Sequence, residues 1–113
     1  MSIKLTLPYP PSVNRMYRNQ RGITVKSAEA KAYAWQVTSA ANEQGATCFD
    51  GNVSVSIRVY RPRKSGDLDN RAKCVLDCLQ GVAYSNDSQI VELHMYRYDD
   101  KKNPRVEVEV KAA

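Results

Sequence analysis

The sequence predicts a single small α+β domain, residues 1–113. Its expected core is one mostly antiparallel or mixed four-stranded sheet backed by two helices, in the order β-α-β-α-β-β. Three observations carry this. Four short runs alternate apolar and polar residues, two longer runs space apolar residues as a helix does, and 113 residues is one domain's length. A chain of this size buries a sizeable core without disulfide or metal staples.

Ile3, Leu5 and Leu7 alternate with Lys4 and Thr6 and predict a strand. It stops at Pro8-Tyr9-Pro10-Pro11, which cannot continue a ladder. Ser12 to Lys26 is a long polar connection, expected to be functional or disordered. Ser27 suits the cap of a helix running to about Glu43. Ala30, Tyr33, Val37, Ala40 and Ala41 share one side of it, with Gly45 at its stop. Trp35 falls off that side. It either covers a local edge of the core or meets a ligand or another subunit.

Val53, Val55, Ile57 and Val59 alternate with Ser54, Ser56 and Arg58 in the clearest strand of the chain. After a basic loop, a second helix is expected from about Asp69 to Gln80. Its stripe is Leu68, Ala72, Val75, Leu76 and Leu79, and Gly81 ends it. Cys74 and Cys78 flank this stripe and read as inert buried thiols. Val91, Leu93 and Met95 form a third strand, and Val106, Val108 and Val110 a fourth. With a turn over Asp99–Pro104 between them, the two are expected to form a hairpin.

Composition excludes several function classes. No apolar run reaches eighteen residues, so no transmembrane helix is expected, and the N-terminus lacks a secretory signal core. Three cysteines and one histidine are not spaced as a zinc site, and a reducing cytoplasm is the expected compartment. Nothing points to a small-molecule cofactor.

The net charge is +5, and it is unevenly placed. Residues 1–40 carry six Lys or Arg against one acid, and residues 61–73 carry five against two. Residues 41–60 and 74–113 are both net acidic. Two basic stretches suggest a polyanionic partner, although basic surface also serves solubility alone.

The second stretch, Arg61-Pro62-Arg63-Lys64-Ser65-Gly66-Asp67-Leu68-Asp69-Asn70-Arg71-Ala72-Lys73, holds two aspartates at a loop–helix junction. One structural explanation is capping, because aspartate is favoured at helix N-termini. Asp69, Lys73 and Asp77 also fit an ordinary i,i+4 salt-bridge row. The chemical explanation is phosphodiester hydrolysis. The scissile group is anionic, and Mg²⁺ relieves its repulsion of a nucleophile; Mg²⁺ takes oxygen ligands from a few carboxylates. Asp67 and Asp69 suit that task, with Asp87 in Ser85-Asn86-Asp87-Ser88-Gln89 as third ligand. Lys73 stands where it could stabilise charge on the phosphate, while Arg61, Arg63, Lys64 and Arg71 suit flanking phosphates.

These residues resemble the RusA family of Holliday-junction resolvases over nearly the whole chain. The resemblance rests on Leu7-Pro8-Tyr9-Pro10-Pro11-Ser12 with Asn14, Tyr17-Arg18, and Ser27-Ala28-Glu29. It continues with Asp67-Leu68-Asp69-Asn70 and Lys73, then Leu76-Asp77, then Asn86-Asp87-Ser88-Gln89. Gly66 and Asn86 depart from residues that some members carry there. The resemblance implies a small α+β fold, a symmetric homodimer, and Mg²⁺-dependent cleavage of four-way DNA junctions by paired nicks, in recombination and repair. It implies Asp67, Asp69 and Asp87 as catalytic metal-binding carboxylates and Lys73 as the catalytic lysine. Asn70 matches as a metal-site or DNA-contacting residue, and Asp77 as a structural or supporting one. The DNA-facing surface would then comprise Arg15, Arg18, Arg21, Lys26, Arg61, Arg63, Lys64, Asn70 and Arg71. Tyr9, Tyr17 and Trp35 either stack on unpaired bases or pack within the protein. The competing reading is a non-catalytic junction- or nucleic-acid-binding module whose aspartates merely cap a helix.

Overall fold

The computed structural model describes residues 2–11, 17–20, 23–26, 28–62 and 68–113, with the backbone alone described at 17–20, 23–26 and 68–70. Its strands are β1 (Ser2–Pro8), β2 (Tyr17–Gln20), β3 (Ile23–Lys26), β4 (Val53–Arg61), β5 (Ile90–Asp99) and β6 (Arg105–Ala112). Its helices are α1 (Ala28–Glu43) and α2 (Leu68–Leu79), and a 3-10 turn at Asp87–Gln89 leads into β5. The main sheet has four strands in the order β1-β6-β4-β5. It is mixed: β6 runs antiparallel to β1 and β4, whereas β4 and β5 are parallel. The expected α+β architecture holds.

Alternation builds the sheet's inner face. Leu5 and Leu7 of β1, Val53, Val55, Ile57 and Val59 of β4, and Val106, Val108 and Val110 of β6 are all buried. The register sets Leu5 beside Val108 and Val108 beside Ile57, so one continuous apolar layer crosses three strands. Helix α1 lays Ala30, Tyr33, Val37 and Ala41 into the same core, and α2 contributes Ala72, Cys74, Val75 and Leu79. Ala40, expected beside Ala41, is only half-buried. Each helix ends before a glycine with positive φ, Gly45 at 76° and Gly81 at 83°. Trp35 is 72% exposed, so it does not cover the core. The proposed cap Ser27 lies outside the described residues.

Two features differ from the sequence reading. Within the polar connection, expected to be functional or disordered, Tyr17–Gln20 and Ile23–Lys26 pair antiparallel as a two-stranded sheet. Arg21-Gly22 separates them, which is the two-residue, glycine-containing spacing of a tight hairpin. Second, β5 and β6 are not a hairpin. Strand β4 lies between them, and residues 100–104 pass over its end. Burial explains the choice. Val106, Val108 and Val110 are at most 1% exposed and require neighbours on both sides, whereas Leu93 is 41% exposed and tolerates an edge. The over-passing turn is held by Asp100, whose Oδ1 accepts from the Lys102 and Asn103 amides. Its Oδ2 accepts from Arg105 at 2.9 Å.

The two edges of the sheet are treated differently. At β1, the Gln44 amide closes on the backbone of Thr6: Thr6 N donates to Gln44 Oε1 at 2.7 Å and Gln44 Nε2 donates to Thr6 O at 2.8 Å. Tyr33 donates to Pro8 O where the strand ends.

Ile57→Ala removes branched bulk from the centre of this core and should cost about 3 kcal/mol in urea unfolding. Ser56→Ala, on the opposite face of the same strand, should change stability by less than about 0.5 kcal/mol. Equal losses would contradict the one-sided core.

Candidate metal and nucleic-acid site

The parallel pairing of β4 with β5 requires a crossover, and α2 supplies it. The crossover sets α2 beside β5 and leaves a groove between them. Lys73, Leu76, Asp77, Asp87, Leu93 and Met95 line this groove, whose volume is about 340 Å³. Lys73 and Asp77 are one turn apart on α2. Asp87 reaches the groove from the 3-10 turn before β5.

That turn is built by its own sequence. Asn86 caps it, its side chain accepting from Ser88 N at 2.9 Å. Gln89 Oε1 accepts from Ser85 N at 2.8 Å and Asn86 N at 2.9 Å. Gln89 Nε2 donates to Phe49 O at 2.9 Å and Gly51 O at 2.7 Å. One amide side chain thus fixes the turn to itself and to the segment before β4. Tyr84 ties the same region to α2 by donating to Leu76 O at 2.8 Å. Burial pushes the Tyr84 hydroxyl well above its ordinary pKa, and the nearby charges of Asp87 and Asp77 push it further. Tyr84 therefore stays a neutral donor behind both carboxylates.

The sequence-predicted residues fall into three groups. The structure brings Lys73 and Asp87 together, and adds Asp77 to them. Asp69 and Asn70 belong to the first turn of α2, and their side chains lie outside the described residues. The axial rise from Asp69 to Asp77 is about 12 Å at 1.5 Å per residue, and the residues of α2 that share the groove with Asp87 are Lys73, Leu76 and Asp77. Asp67, Arg15, Arg21, Arg63 and Lys64 lie outside the described residues, as do the side chains of Arg18 on β2 and Lys26 on β3.

Two cations expected on a DNA-facing surface have internal partners. Arg61 ends β4 with its side chain 10% exposed, and its guanidinium grips Asp99 of β5 at 2.8 Å. So buried a cation requires its partner, and Arg61 fastens the sheet where the basic loop begins. Arg71 donates through Nε to Tyr9 Oη and through Nη1 to Pro11 O, both at 3.1 Å. It also lies over the Tyr9 ring, 5.5 Å from the centroid. The Pro8–Pro11 segment is thereby docked on α2, which gives Tyr9 a packing role. Cys74 is buried, and its hydrogen bond with Cys78 and its burial hold the thiol protonated.

Among the described residues, no three His, Cys, Asp or Glu side chains gather as a metal site. The groove presents two carboxylates, Asp77 and Asp87, and no histidine or cysteine among its described lining residues, so its donors are hard oxygens. Sequence reasoning missed Leu93 and Met95 as groove wall; their alternation marked them only as strand core.

The chain's similarity to known proteins decides its family. Residues 8–111 match the family model described as Endodeoxyribonuclease RusA. The chain belongs to the RusA family. It is 35% identical over 109 residues to the crossover junction endodeoxyribonuclease RusA of Shigella sonnei strain Ss046, covering 94% of this chain and 91% of that protein. The protein of the same name from Escherichia coli K12 is 34% identical over 112 residues, again 94% and 91%. One from Enterobacteria phage 82 is 34% identical over 111 residues with the same coverage. The RusA match spans every element from the end of β1 into β6.

Gln89→Ala removes four hydrogen bonds at the turn that carries Asp87. It should cost about 2–3 kcal/mol in urea unfolding. A loss under about 0.5 kcal/mol would contradict the part given to Gln89.

Proposed function

We propose that the protein is a Mg²⁺-dependent, structure-selective endodeoxyribonuclease that resolves four-way DNA junctions by paired symmetric nicks. In this reading it acts as a cytoplasmic homodimer in recombination and repair. The observation that carries the reading is the meeting of Asp87, Lys73 and Asp77 in one groove of a chain that matches the RusA family over residues 8–111.

Asp67, Asp69 and Asp87 are the residues proposed to hold Mg²⁺. When bound, the ion lowers the pKa of water and neutralises charge on the scissile phosphate. Lys73, exposed on α2 at the mouth of the groove, places a cation against the phosphate oxygens as negative charge builds on them. Leu76, Leu93 and Met95 give the groove an apolar wall beside these charges. Asn70 is assigned to the metal site or the DNA backbone. Arg15, Arg18, Arg21, Lys26, Arg63 and Lys64 are assigned to phosphates flanking the cut, with Arg71 supporting the surface through its Tyr9 contact. Phosphate contacts read no sequence, so junction preference would come from shape. A junction offers two strands related by an approximate two-fold, and a two-fold dimer offers two matching sites.

The test is a synthetic junction beside a linear duplex, each with Mg²⁺ and with EDTA. Nicks at symmetric positions on opposed strands of the junction, absent with EDTA, are expected. Binding without product at any divalent-ion concentration would favour the non-catalytic module instead.

Asp67→Asn, Asp69→Asn and Asp87→Asn should each lower cutting by about a hundredfold or more while junction binding persists. Asp77→Asn should cost less than about tenfold. If Asp77→Asn abolishes cutting while Asp87→Asn cuts normally, the carboxylate assignment is wrong.

A further inference from the structure

We propose that Tyr96 and Tyr98, on the open face of the sheet, form a second nucleic-acid site, where unpaired bases of a single DNA strand stack. The stacking needs neither metal nor cleavage. Only the choice of DNA as the strand rests on the reading above.

Among the described residues both helices pack on the inner face of the sheet, and alternation turns the other side chains of β4, β5 and β6 to the opposite side. The register aligns them in rows across the strands. Arg105 of β6, Tyr60 of β4 and Tyr98 of β5 make one row, and Arg58 and Tyr96 lie in the next. In the first row three planes follow one another. The Arg105 guanidinium lies 3.8 Å from the Tyr60 ring centroid. Tyr60 in turn stacks on Tyr98, with centroids 5.1 Å apart and planes at 23°. In the second row Arg58 lies over Tyr96, 5.7 Å from its centroid. Strand β5 is outermost in the sheet, so each row ends in a tyrosine, and Tyr96 and Tyr98 are 42% and 44% exposed. A nucleobase adds one further plane to such a stack.

The first row is ordered before any ligand arrives. Arg105 donates through Nε to Glu107 Oε2 at 3.0 Å and through Nη1 to Asp100 Oδ2 at 2.9 Å. Tyr60 Oη donates to Glu107 Oε1 at 3.3 Å. Side chains held in this way lose little freedom on binding.

Spacing and charge select the occupant. Residues two apart on one face of a strand stand about 6.7 Å apart, roughly twice the 3.4 Å step along one strand of a duplex. Bases on both tyrosines are therefore unstacked from each other, which a single strand permits and a duplex does not. At this end of the open face Arg58, Arg105 and the exposed turn residues Lys101 and Lys102 outnumber Asp100 and Glu107. At the other end Lys4 and Lys111 both pair with Glu109, at 3.8 Å and 3.6 Å. The tyrosines thus lie at the basic end, which suits a phosphate chain. The same end meets the start of the basic loop, where Asp100 N donates to Arg61 O at 2.7 Å.

The test is fluorescence anisotropy of a labelled oligothymidylate of about ten nucleotides, titrated with the full chain in EDTA at low salt. Tyr96→Ala and Tyr98→Ala should each weaken binding about tenfold, while Tyr96→Phe and Tyr98→Phe keep it. All four are expected to retain the far-UV circular dichroism of the wild type. An abasic strand of the same length should bind the wild type as weakly as the thymidylate binds Tyr96→Ala/Tyr98→Ala. The proposal is overturned if that double variant binds the thymidylate like the wild type, or if the abasic strand or a duplex binds as tightly as the thymidylate. A double variant that keeps thymidylate binding but changes its sedimentation assigns the rings to a second copy and also overturns it. Junction cutting without thymidylate binding would overturn this site and leave the nuclease reading standing. Tyrosine-dependent thymidylate binding by a chain inert on junctions would do the reverse.

Discussion

The parallel pairing of β4 and β5 is the constraint from which the candidate site follows. Two neighbouring strands that run the same way cannot be joined by a tight turn, so the chain must leave the end of β4 and return along a helix. That return path is α2. It carries Asp69, Lys73 and Asp77 down beside the sheet, and the chain then re-enters β5 through the turn that holds Asp87. Chemistry-bearing residues separated in sequence by a helix and a loop become the two walls of one groove. The core makes the arrangement rigid: Ala72, Val75 and Leu79 are fully buried against the sheet, so α2 cannot roll without opening a cavity.

Small polar side chains fix the rest. Gln89 spends its whole hydrogen-bonding capacity on the Asp87 turn and on the backbone before β4. Arg61 and Asp99 bind the far ends of β4 and β5 to each other, at the point where the basic loop departs. Arg71 and Tyr9 bind the Pro8–Pro11 segment to α2. Each contact joins an element of the sheet to one of the segments carrying candidate site residues. Two arginines that charge counting assigned to DNA thus also belong to the scaffold, since a guanidinium with a fixed partner orders backbone as well as attracting phosphate.

Much of this was legible in the sequence, and the parts that were not have physical reasons. Val53 to Val59 and the stripe of Ala72, Val75 and Leu79 declared strand and helix because their periods differ and both are strongly apolar. The β2–β3 hairpin was missed because Tyr17–Gln20 is polar throughout, and the pair forms its own small sheet outside the main one. The false hairpin between β5 and β6 arose because a five-residue turn looks the same whether its strands pair or straddle a third. Burial decides between those cases, and burial is a tertiary property. Asp87 and Lys73 were singled out by residue chemistry and family resemblance, but their meeting with Asp77 in one groove, and its apolar wall of Leu93 and Met95, emerged only when the strands were placed.

The central proposal is that Asp67, Asp69 and Asp87 together form a divalent-ion site. Paramagnetic broadening of backbone amide resonances by Mn²⁺, titrated into the uniformly labelled protein, tests it most directly. The account predicts broadening centred on Asp69 to Lys73 and on Asp87, reversed by excess Mg²⁺ and lost in Asp87→Asn. Broadening centred instead on the acidic positions of β6, Glu107 and Glu109, or unchanged in Asp87→Asn, would contradict it.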